Sequence, residues 1–301
     1  TEPVTRKDVS ELTGLYSSSG DPYRYRFGGF SIGGYKMPTY SFSTHRRYRS
    51  GYQPKSKTSY YSPTVRDIGK GSSRSTAYQP RGDTPQTYEE IRDACLEQGC
   101  LWEDPDFQAE DGSLYYRNPP SVWPDIQWMR PSEICDDPQM FVEGASRLDV
   151  NQGILGDCWL LAAVSCLATN DRLLRRVVPG DQSFSDNYAG VFRFHFWQYG
   201  RWVEVLIDDR LPTHNGKLIY MHSDDRNEFW SAMIEKAYAK LNGNYESLSG
   251  GLTSEALTDF TGGVVERFDM RESAPDDLFE RMLKARNRFS LMGCSIDATA
   301  N

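Results

Sequence analysis

One cysteine stands where a glycine-containing turn meets an uninterrupted apolar helix pattern, and this junction limits the fold more than any other feature. The run from Gln152 to Ala163 reads Gln-Gly-Ile-Leu-Gly-Asp-Cys-Trp-Leu-Leu-Ala-Ala. A cysteine in the first helical turn lies at the positive end of the helix dipole, which favours the thiolate. Gln152 places an amide donor upstream, where an oxyanion could develop. We therefore predict that Cys158 is a nucleophile and that Gln152, with the backbone N–H of Cys158, forms an oxyanion hole.

The alternative is that Cys158 is a small buried apolar residue, as most isolated cysteines before helices are. The complete run argues against that alternative. A thiol nucleophile also requires a base beside it. None of the four histidines, His45, His195, His214 and His222, has a sequence context that marks a catalytic base. We interpret each of them as a surface or packing histidine.

The parts of the chain before and after about residue 86 carry net charges of opposite sign. Residues 1–85 hold 14 Lys and Arg against 6 Asp and Glu, whereas the remainder holds 20 against 36, so the net charges are about +8 and −16. The acidic body argues against a nucleic-acid ligand for the core. It suits a protein that collects cations, although an acidic surface also simply keeps a domain soluble.

Residues 1–86 are rich in Ser, Gly, Tyr and Arg and poor in aliphatic residues. Such a segment cannot bury enough apolar surface to offset its ordering entropy, so we predict a disordered tail. Interleaved Tyr and Arg can stack on nucleic acid or make weak contacts with an acidic surface. An inert, phosphorylatable tail is the simpler interpretation, and it is the one we favour.

Hydrophobic periodicity predicts mixed helices and strands after residue 86. Helices are expected after a capping box at Thr87, over residues 158–168, 170–178 and 227–241, between two glycine pairs at 250–251 and 262–263, and after residue 275. Strands are expected over residues 191–197, 202–207, 217–222, 264–268 and 289–295. The first two strands meet at Tyr199-Gly200 and should form a hairpin. The helix over 227–241 is expected to be amphipathic.

Several stretches resemble the calpains, which are calcium-dependent, papain-like cysteine proteases. The resemblance lies in residues 141–149, 152–163, 228–232, 235–240, 249–251 and 259–263. It implies an α+β, two-lobed papain-like core, with a nucleophile lobe over residues 87–262 and the start of a second lobe over 263–301. In this family a histidine and an asparagine from the second lobe complete the site, and both would lie beyond Asn301. The resemblance therefore implies an incomplete core without activity of its own.

The same resemblance implies a calcium site in the first lobe. Its ligands would be the backbone oxygens of Val142 and Gly144 and the carboxylates of Asp149 and Glu228, all oxygen donors of the kind calcium prefers. It also implies limited proteolysis of protein substrates by the full-length parent. A non-catalytic calcium-binding or scaffolding protein remains the alternative, because no base occurs within the chain.

The six cysteines form no CxxC pair and no zinc pattern. A reactive thiol among them favours a reducing compartment, so we predict a cytoplasmic protein. No apolar run reaches the roughly 18 residues that a transmembrane helix needs. No secretory signal is evident near the start.

Overall fold

The computed structural model describes residues 86–116, 125–271 and 274–295 in full, together with the backbone of three short strands before residue 86. These strands are β1 (Arg24–Arg26), β2 (Ser41–Ser43) and β3 (Val65–Asp67). The disorder predicted for residues 1–86 lies almost entirely outside the described residues and stays a prediction.

Two compact units make up the chain, one of residues 59–293 and one of residues 1–58 with 294–301. In the second unit, β1 and β2 form an antiparallel pair in which Tyr25 lies opposite Phe42. The unit of residues 59–293 contains all of the predicted site residues. The boundary predicted at residue 262 between two lobes stays a prediction.

Helices dominate the described part of the unit of residues 59–293. They are α1 (Tyr88–Gln98), α2 (Asp111–Leu114), α3 (Pro131–Ile134), α4 (Cys158–Ala168), α5 (Asp171–Val177), α6 (Trp230–Asn242), α7 (Thr253–Thr261) and α8 (Leu278–Asn287). Two 3-10 helices lie at Arg147–Asp149 and Glu246–Leu248. None of the helices described here combines the length and the apolar character of a membrane span.

Two three-stranded antiparallel sheets complete this unit. The further strands are β4 (Gln127–Met129), β5 (Val191–Gln198), β6 (Arg201–Asp208), β7 (Leu211–His214) and β8 (Lys217–Leu218). One sheet has the order β3-β6-β5 and the other β4-β7-β8. The predicted hairpin is confirmed: β5 and β6 pair from Val191 opposite Asp208 to Gln198 opposite Arg201. Its turn uses two left-handed residues, Tyr199 and Gly200.

The other strand predictions fail in part. The strand predicted over 217–222 stops at Leu218, because the backbone beyond it bonds to the loop before α4 instead. The Ile154 N–H donates to the Ile219 carbonyl, and Asn151 forms a bridge with His222. Residues 264–268 and 290–295 are irregular, and no strand among the described residues pairs with them. A β-rich segment without a ladder partner gains too little to stay extended.

A single large core packs around α4. Leu160, Ala163, Val164 and Leu167 of this helix are fully buried. Helix α4 packs against α7, which in turn covers β5, while α6 packs on β6. Each fully buried aliphatic side chain contributes about 1.5–3 kcal/mol to folding. The helix that begins with Cys158 is therefore a rigid platform.

Helix α6 departs from the predicted amphipathic pattern, because its polar side is buried as well. Glu235, Lys236 and Lys240 are at most 6% exposed. Lys236 pairs with Asp208 at 2.5 Å and Lys240 pairs with Asp104 at 2.6 Å. Buried charges persist only when they are paired in this way. Periodicity alone reports apolar faces and misses polar faces that are satisfied by partners.

The buried carboxylate of Asp208 makes the stability of the fold sensitive to acid. Burial acts to raise its pKa, but the Lys236 charge and hydrogen bonds from Arg210, Lys236 and the Asp104 N–H outweigh burial and lower the pKa to about 2. A carboxyl whose pKa is lowered on folding contributes stability above its ordinary value of 3.8, and that stability disappears as the pH falls toward 2. The shift corresponds to about 2 kcal/mol in the free energy of unfolding.

We expect Asp208→Asn to lower stability at neutral pH and to flatten the loss between about pH 4 and pH 2, the interval set by these two pKa values. Urea unfolding at a series of pH values measures this directly. Asp171→Asn, on an exposed i,i+4 pair of α5, is the matched control and should leave the profile unchanged. An unaltered slope in Asp208→Asn would contradict the assigned ion pair.

Candidate active site

Cys158 is the first residue of α4 and is half-buried, as the sequence predicts. The helix begins here because the Asp157 carbonyl accepts the N–H groups of Leu160 at 2.8 Å and Leu161 at 3.1 Å. The Asp157 side chain makes no capping bond to the helix. The backbone N–H groups of Cys158 and Trp159 at this helix end act to lower the pKa of the Cys158 thiol. The donors of the first turn thus favour a thiolate, as expected at the positive end of a helix.

The thiol is nevertheless not activated in this conformation. Burial raises the pKa of Cys158 above its ordinary value, the negative charge of Asp157 raises it further, and the two N–H groups recover only part of the shift. The sequence-based expectation of a lowered pKa is therefore wrong for this conformation, because desolvation outweighs the helix terminus. The sulfur needs a base to become a nucleophile at neutral pH.

Gln152 lies in the loop before α4 with its amide turned toward that loop. Its Nε2 donates to the Leu155 carbonyl at 2.8 Å and approaches Asp157 Oδ1 at 3.4 Å. An oxyanion would have to compete with these two acceptors. The loop is held by close backbone packing, because a Cβ on Gly153 would lie 2.1 Å from the Ile219 carbonyl oxygen. Gln152 as an oxyanion donor stays a prediction.

Trp159 packs beneath the helix. Its indole N–H donates to the Leu248 carbonyl at 2.8 Å, and its ring meets Tyr238 edge-on at 6.1 Å. A Cβ on Gly251 would lie 2.5 Å from the indole ring, so the Gly251 backbone lies directly on it. These contacts fix the first turn of α4 from below.

In each of the three described histidines, Nδ1 contacts a backbone carbonyl oxygen. His195 contacts the Arg176 oxygen at 3.0 Å, His214 the Asp125 oxygen at 3.4 Å and His222 the Tyr220 oxygen at 2.8 Å. These contacts agree with the prediction that they are packing or surface residues. His45 lies outside the described residues.

The predicted cation ligands gather around one buried carboxylate. Glu228 is 2% exposed, and it accepts from the Val142 N–H and from Ser223 Oγ, each at 2.7 Å. Burial raises the pKa of Glu228, and the charges of Asp149 and Asp225 raise it further. Gly144 has a left-handed backbone at φ 96° in the adjoining loop. A buried carboxylate with like charges nearby is relieved by a bound cation.

Side chains alone do not complete a cation site here. Within the described residues, no group of three or more His, Cys, Asp or Glu side chains is arranged to hold a metal ion. The predicted set has only two carboxylates, and its other ligands are backbone oxygens, which calcium accepts readily. Asp149 is engaged with the Ser146 N–H at 2.5 Å. The donor chemistry fits calcium, and the calcium assignment stays a prediction.

One feature of the site escaped sequence reasoning. The Asp157 side chain is fully buried within hydrogen-bonding reach of Glu235 from α6. Glu235 was hidden because it falls on the expected solvent side of an amphipathic helix. The sequence does contain one signal. Asp157 stands directly before the cysteine, at a position where an aspartate side chain normally caps the helix.

Comparison with known proteins agrees with this geometry. Residues 102–301 match the family described as Calpain family cysteine protease. The chain is 59% identical over 210 residues to Calpain-B of Drosophila melanogaster, covering 70% of this chain and 22% of that protein. It is 53% identical over 239 residues to Calpain-A of Drosophila melanogaster, covering 79% and 28%. It is 55% identical over 218 residues to the Calpain-2 catalytic subunit of Mus musculus, covering 71% and 31%.

The family match over residues 102–301 defines the class of this mixed helix and strand core as that of the cysteine proteases. The chain belongs to the calpain family of cysteine proteases, and the resemblance seen in the sequence is confirmed. The chain spans about a fifth to a third of the length of these curated relatives.

Proposed function

We propose that the natural protein containing this chain is a calcium-dependent cysteine endopeptidase that performs limited proteolysis of protein substrates. The observation that carries the proposal is the Cys158 sulfur at the uncapped first turn of α4, inside the region that matches the family. An acyl transfer site needs a nucleophile next to donors for the oxyanion, and this helix terminus offers both.

The chemistry begins when Cys158 loses its proton to a base and attacks a peptide carbonyl carbon. The carbonyl oxygen gains negative charge, which the Cys158 N–H and the Gln152 amide would stabilise once that amide leaves the Leu155 carbonyl. The same base would then protonate the departing amine. Because the described histidines are all turned to backbone carbonyls, we propose that the base comes from residues outside the described chain and that the chain alone has no activity.

We further propose that calcium binds at Val142, Gly144, Asp149 and Glu228. The bound ion supplies positive charge that offsets the buried carboxylates. Asp149 ends a 3-10 helix that packs against α4. Ordering this segment would therefore act on the helix that carries Cys158 and favour one conformation of the nucleophile loop.

The proposed calcium site is tested by Glu228→Gln. We expect the mutation to weaken calcium binding to the chain at least about tenfold, because affinity follows the number of charged oxygen ligands. Isothermal titration calorimetry with calcium measures the affinity without requiring protease activity. Glu255→Gln, on the exposed side of α7, is the matched control and should bind calcium as the wild type does.

Equal calcium affinity in Glu228→Gln and wild type would remove this site from the proposal. For the complete protein, hydrolysis of a peptide with calcium and with a chelator tests the switch itself. Equal turnover in both conditions would refute calcium dependence. No turnover in either condition, with calcium still bound, would favour the scaffolding alternative, which rests on the lack of a catalytic base among the described histidines.

We propose a reducing, cytoplasmic location for this protein. The six cysteines are all free thiols, as a reducing compartment favours. A thiol nucleophile also survives longest where oxidants are scarce. The basic tail remains a candidate for weak contact with an acidic surface.

A further inference from the structure

Two buried carboxyl groups, one of them adjacent in sequence to the proposed nucleophile, lie within hydrogen-bonding reach of each other. Asp157 precedes Cys158, and Glu235 projects from α6. Both are at most 1% exposed. One oxygen of each group, Asp157 Oδ2 and Glu235 Oε1, has no hydrogen-bond partner if both carboxyl groups are ionised. A buried acceptor without a donor destabilises the fold, so two of them side by side call for a partner.

The remaining oxygens of the pair have clear donors. Glu235 Oε2 accepts the Met221 N–H at 2.8 Å, and Asp157 Oδ1 faces the Gln152 amide at 3.4 Å. The narrow space beside Glu235, lined among others by Tyr220, Met221 and Tyr245, has no room for a water molecule. With no other donor in place, a proton between the two unpaired oxygens is the partner that remains for both.

We propose that Asp157 and Glu235 share one proton, and that Glu235 is a positioning residue that holds the Asp157 carboxylate away from the first turn of α4. The shared proton satisfies both orphan oxygens with a single hydrogen bond. The pairing of Asp157 with Glu235 also affects the Cys158 sulfur, because it keeps Asp157 from capping α4. The positioning role rests on the proposed function of Cys158, whereas the shared proton does not.

An aspartate before a helix normally accepts the N–H of the second or third helical residue. Here that carboxylate lies within hydrogen-bonding reach of Glu235 and makes no capping bond, so the N–H groups of Cys158 and Trp159 remain available to favour the thiolate. Without Glu235, the Asp157 side chain could turn and cap the helix. It would then compete with the thiolate for the same donors and bring its charge closer to the sulfur.

The ionisable groups around the pair agree with a single negative charge. Burial raises the pKa of Glu235 well above its ordinary value, and the neighbouring Asp157 charge raises it further. Burial also raises the pKa of Asp157, to about 6, although the hydrogen bond from Glu235 acts to lower it. The other groups that face the pair, Cys158, Tyr220 and Tyr245, all have raised pKa values and are neutral. Glu235 therefore holds the proton and Asp157 the charge.

The shared proton is tested by nuclear magnetic resonance on the 301-residue chain with isotope-labelled glutamate carboxyl carbons. One carboxyl signal should keep its protonated position at neutral pH and should vanish in Glu235→Gln, whose amide can donate to Asp157 in place of the acid. Glu97→Gln, on the exposed side of α1, should retain that signal. The absence of a protonated signal that depends on Glu235 overturns the shared proton.

The positioning role is tested by the pH profile of Cys158 alkylation with iodoacetamide, followed by peptide mass spectrometry. We expect Glu235→Gln to keep the wild-type profile and Glu235→Ala to move it to higher pH. A shift of one pH unit means about tenfold slower alkylation below the midpoint. Asp157→Asn removes the charge beside the sulfur and should move the profile to lower pH.

Neither alkylation nor the carboxyl signals require a substrate. Both measurements therefore test this inference independently of the proposed protease activity. A folded Glu235→Ala with the wild-type profile overturns the positioning role. Should Glu235→Ala not fold, Asp157→Asn decides: an unchanged profile would show that no charge at Asp157 acts on the sulfur and overturns the assignment.

Discussion

Replacing Cys158 by serine should abolish peptide hydrolysis by the complete calcium-loaded protein. We expect a loss of at least about a thousandfold in kcat, because removing the nucleophile leaves only binding and oxyanion stabilisation. The serine hydroxyl fits the same half-buried position. It does not ionise under the base that suffices for a thiol. The variant should therefore keep its fold and lose its chemistry.

Cys166→Ser is the matched control for this experiment. Cys166 lies on the same helix α4 and is also partly buried, with its Sγ near the Met292 carbonyl at 3.2 Å. The control should retain turnover within about twofold, since surface-type substitutions away from a site change little. Hydrolysis of a fluorogenic peptide, normalised to folded protein by circular dichroism, provides the comparison. Undiminished turnover in Cys158→Ser would refute Cys158 as the nucleophile.

The second large effect should come from Lys240→Met. Lys240 Nζ donates to both Asp104 oxygens at 2.8 and 2.6 Å and to the Leu206 carbonyl at 2.8 Å. Both side chains are at most 1% exposed. Removing one partner of a buried pair leaves an uncompensated charge, which costs about 3–5 kcal/mol in the free energy of unfolding.

The cost of Lys240→Met should grow with pH. Burial raises the pKa of Asp104, and the Lys240 charge opposes this rise. Without Lys240 the Asp104 pKa rises further, so the fold must keep a proton that the unfolded chain releases. Stability is then lost as the pH rises above the ordinary value of 3.8 and through the raised pKa of the folded state. We expect urea unfolding to show a larger loss of stability at about pH 8 than at about pH 5.

Two further variants complete this test. Lys217→Met, on the exposed strand β8, removes a lysine without a buried partner and should cost less than about 0.5 kcal/mol. The double variant Asp104→Asn with Lys240→Met should recover part of the loss, because neither position of the pair then leaves an uncompensated charge. A Lys240→Met protein as stable as Lys217→Met would show that the pair contributes nothing.

Local signals in the sequence were sufficient for the helices of seven or more residues and the main hairpin, whereas the four-residue helices α2 and α3 were not predicted. The capping box at Thr87 is present with both of its hydrogen bonds, and α4 begins at Cys158. Asn170 caps α5 by accepting the Leu173 N–H. Caps and turns depend on neighbours within a few residues, so a single sequence contains their causes.

Strand ends were not predictable in the same way. Ile219 leaves the sheet because its carbonyl accepts from Ile154, sixty-five positions earlier in the chain by the sequence numbering. Strand β7 forms although Pro212 lies within it, because its partner β4 supplies the pairing. A strand is defined by a partner that sequence periodicity does not name.

The amino-acid sequence by itself determined where the proposed nucleophile lies, which helix carries it and to which family the chain belongs, because these depend on a contiguous run of residues. Only the tertiary structure decided how that cysteine is tuned. Burial raises the pKa of Cys158, the Gln152 amide turns to the Leu155 carbonyl, and Glu235 meets Asp157 across the core. Desolvation and long-range pairing arise only when distant segments pack together, so no local pattern contains them.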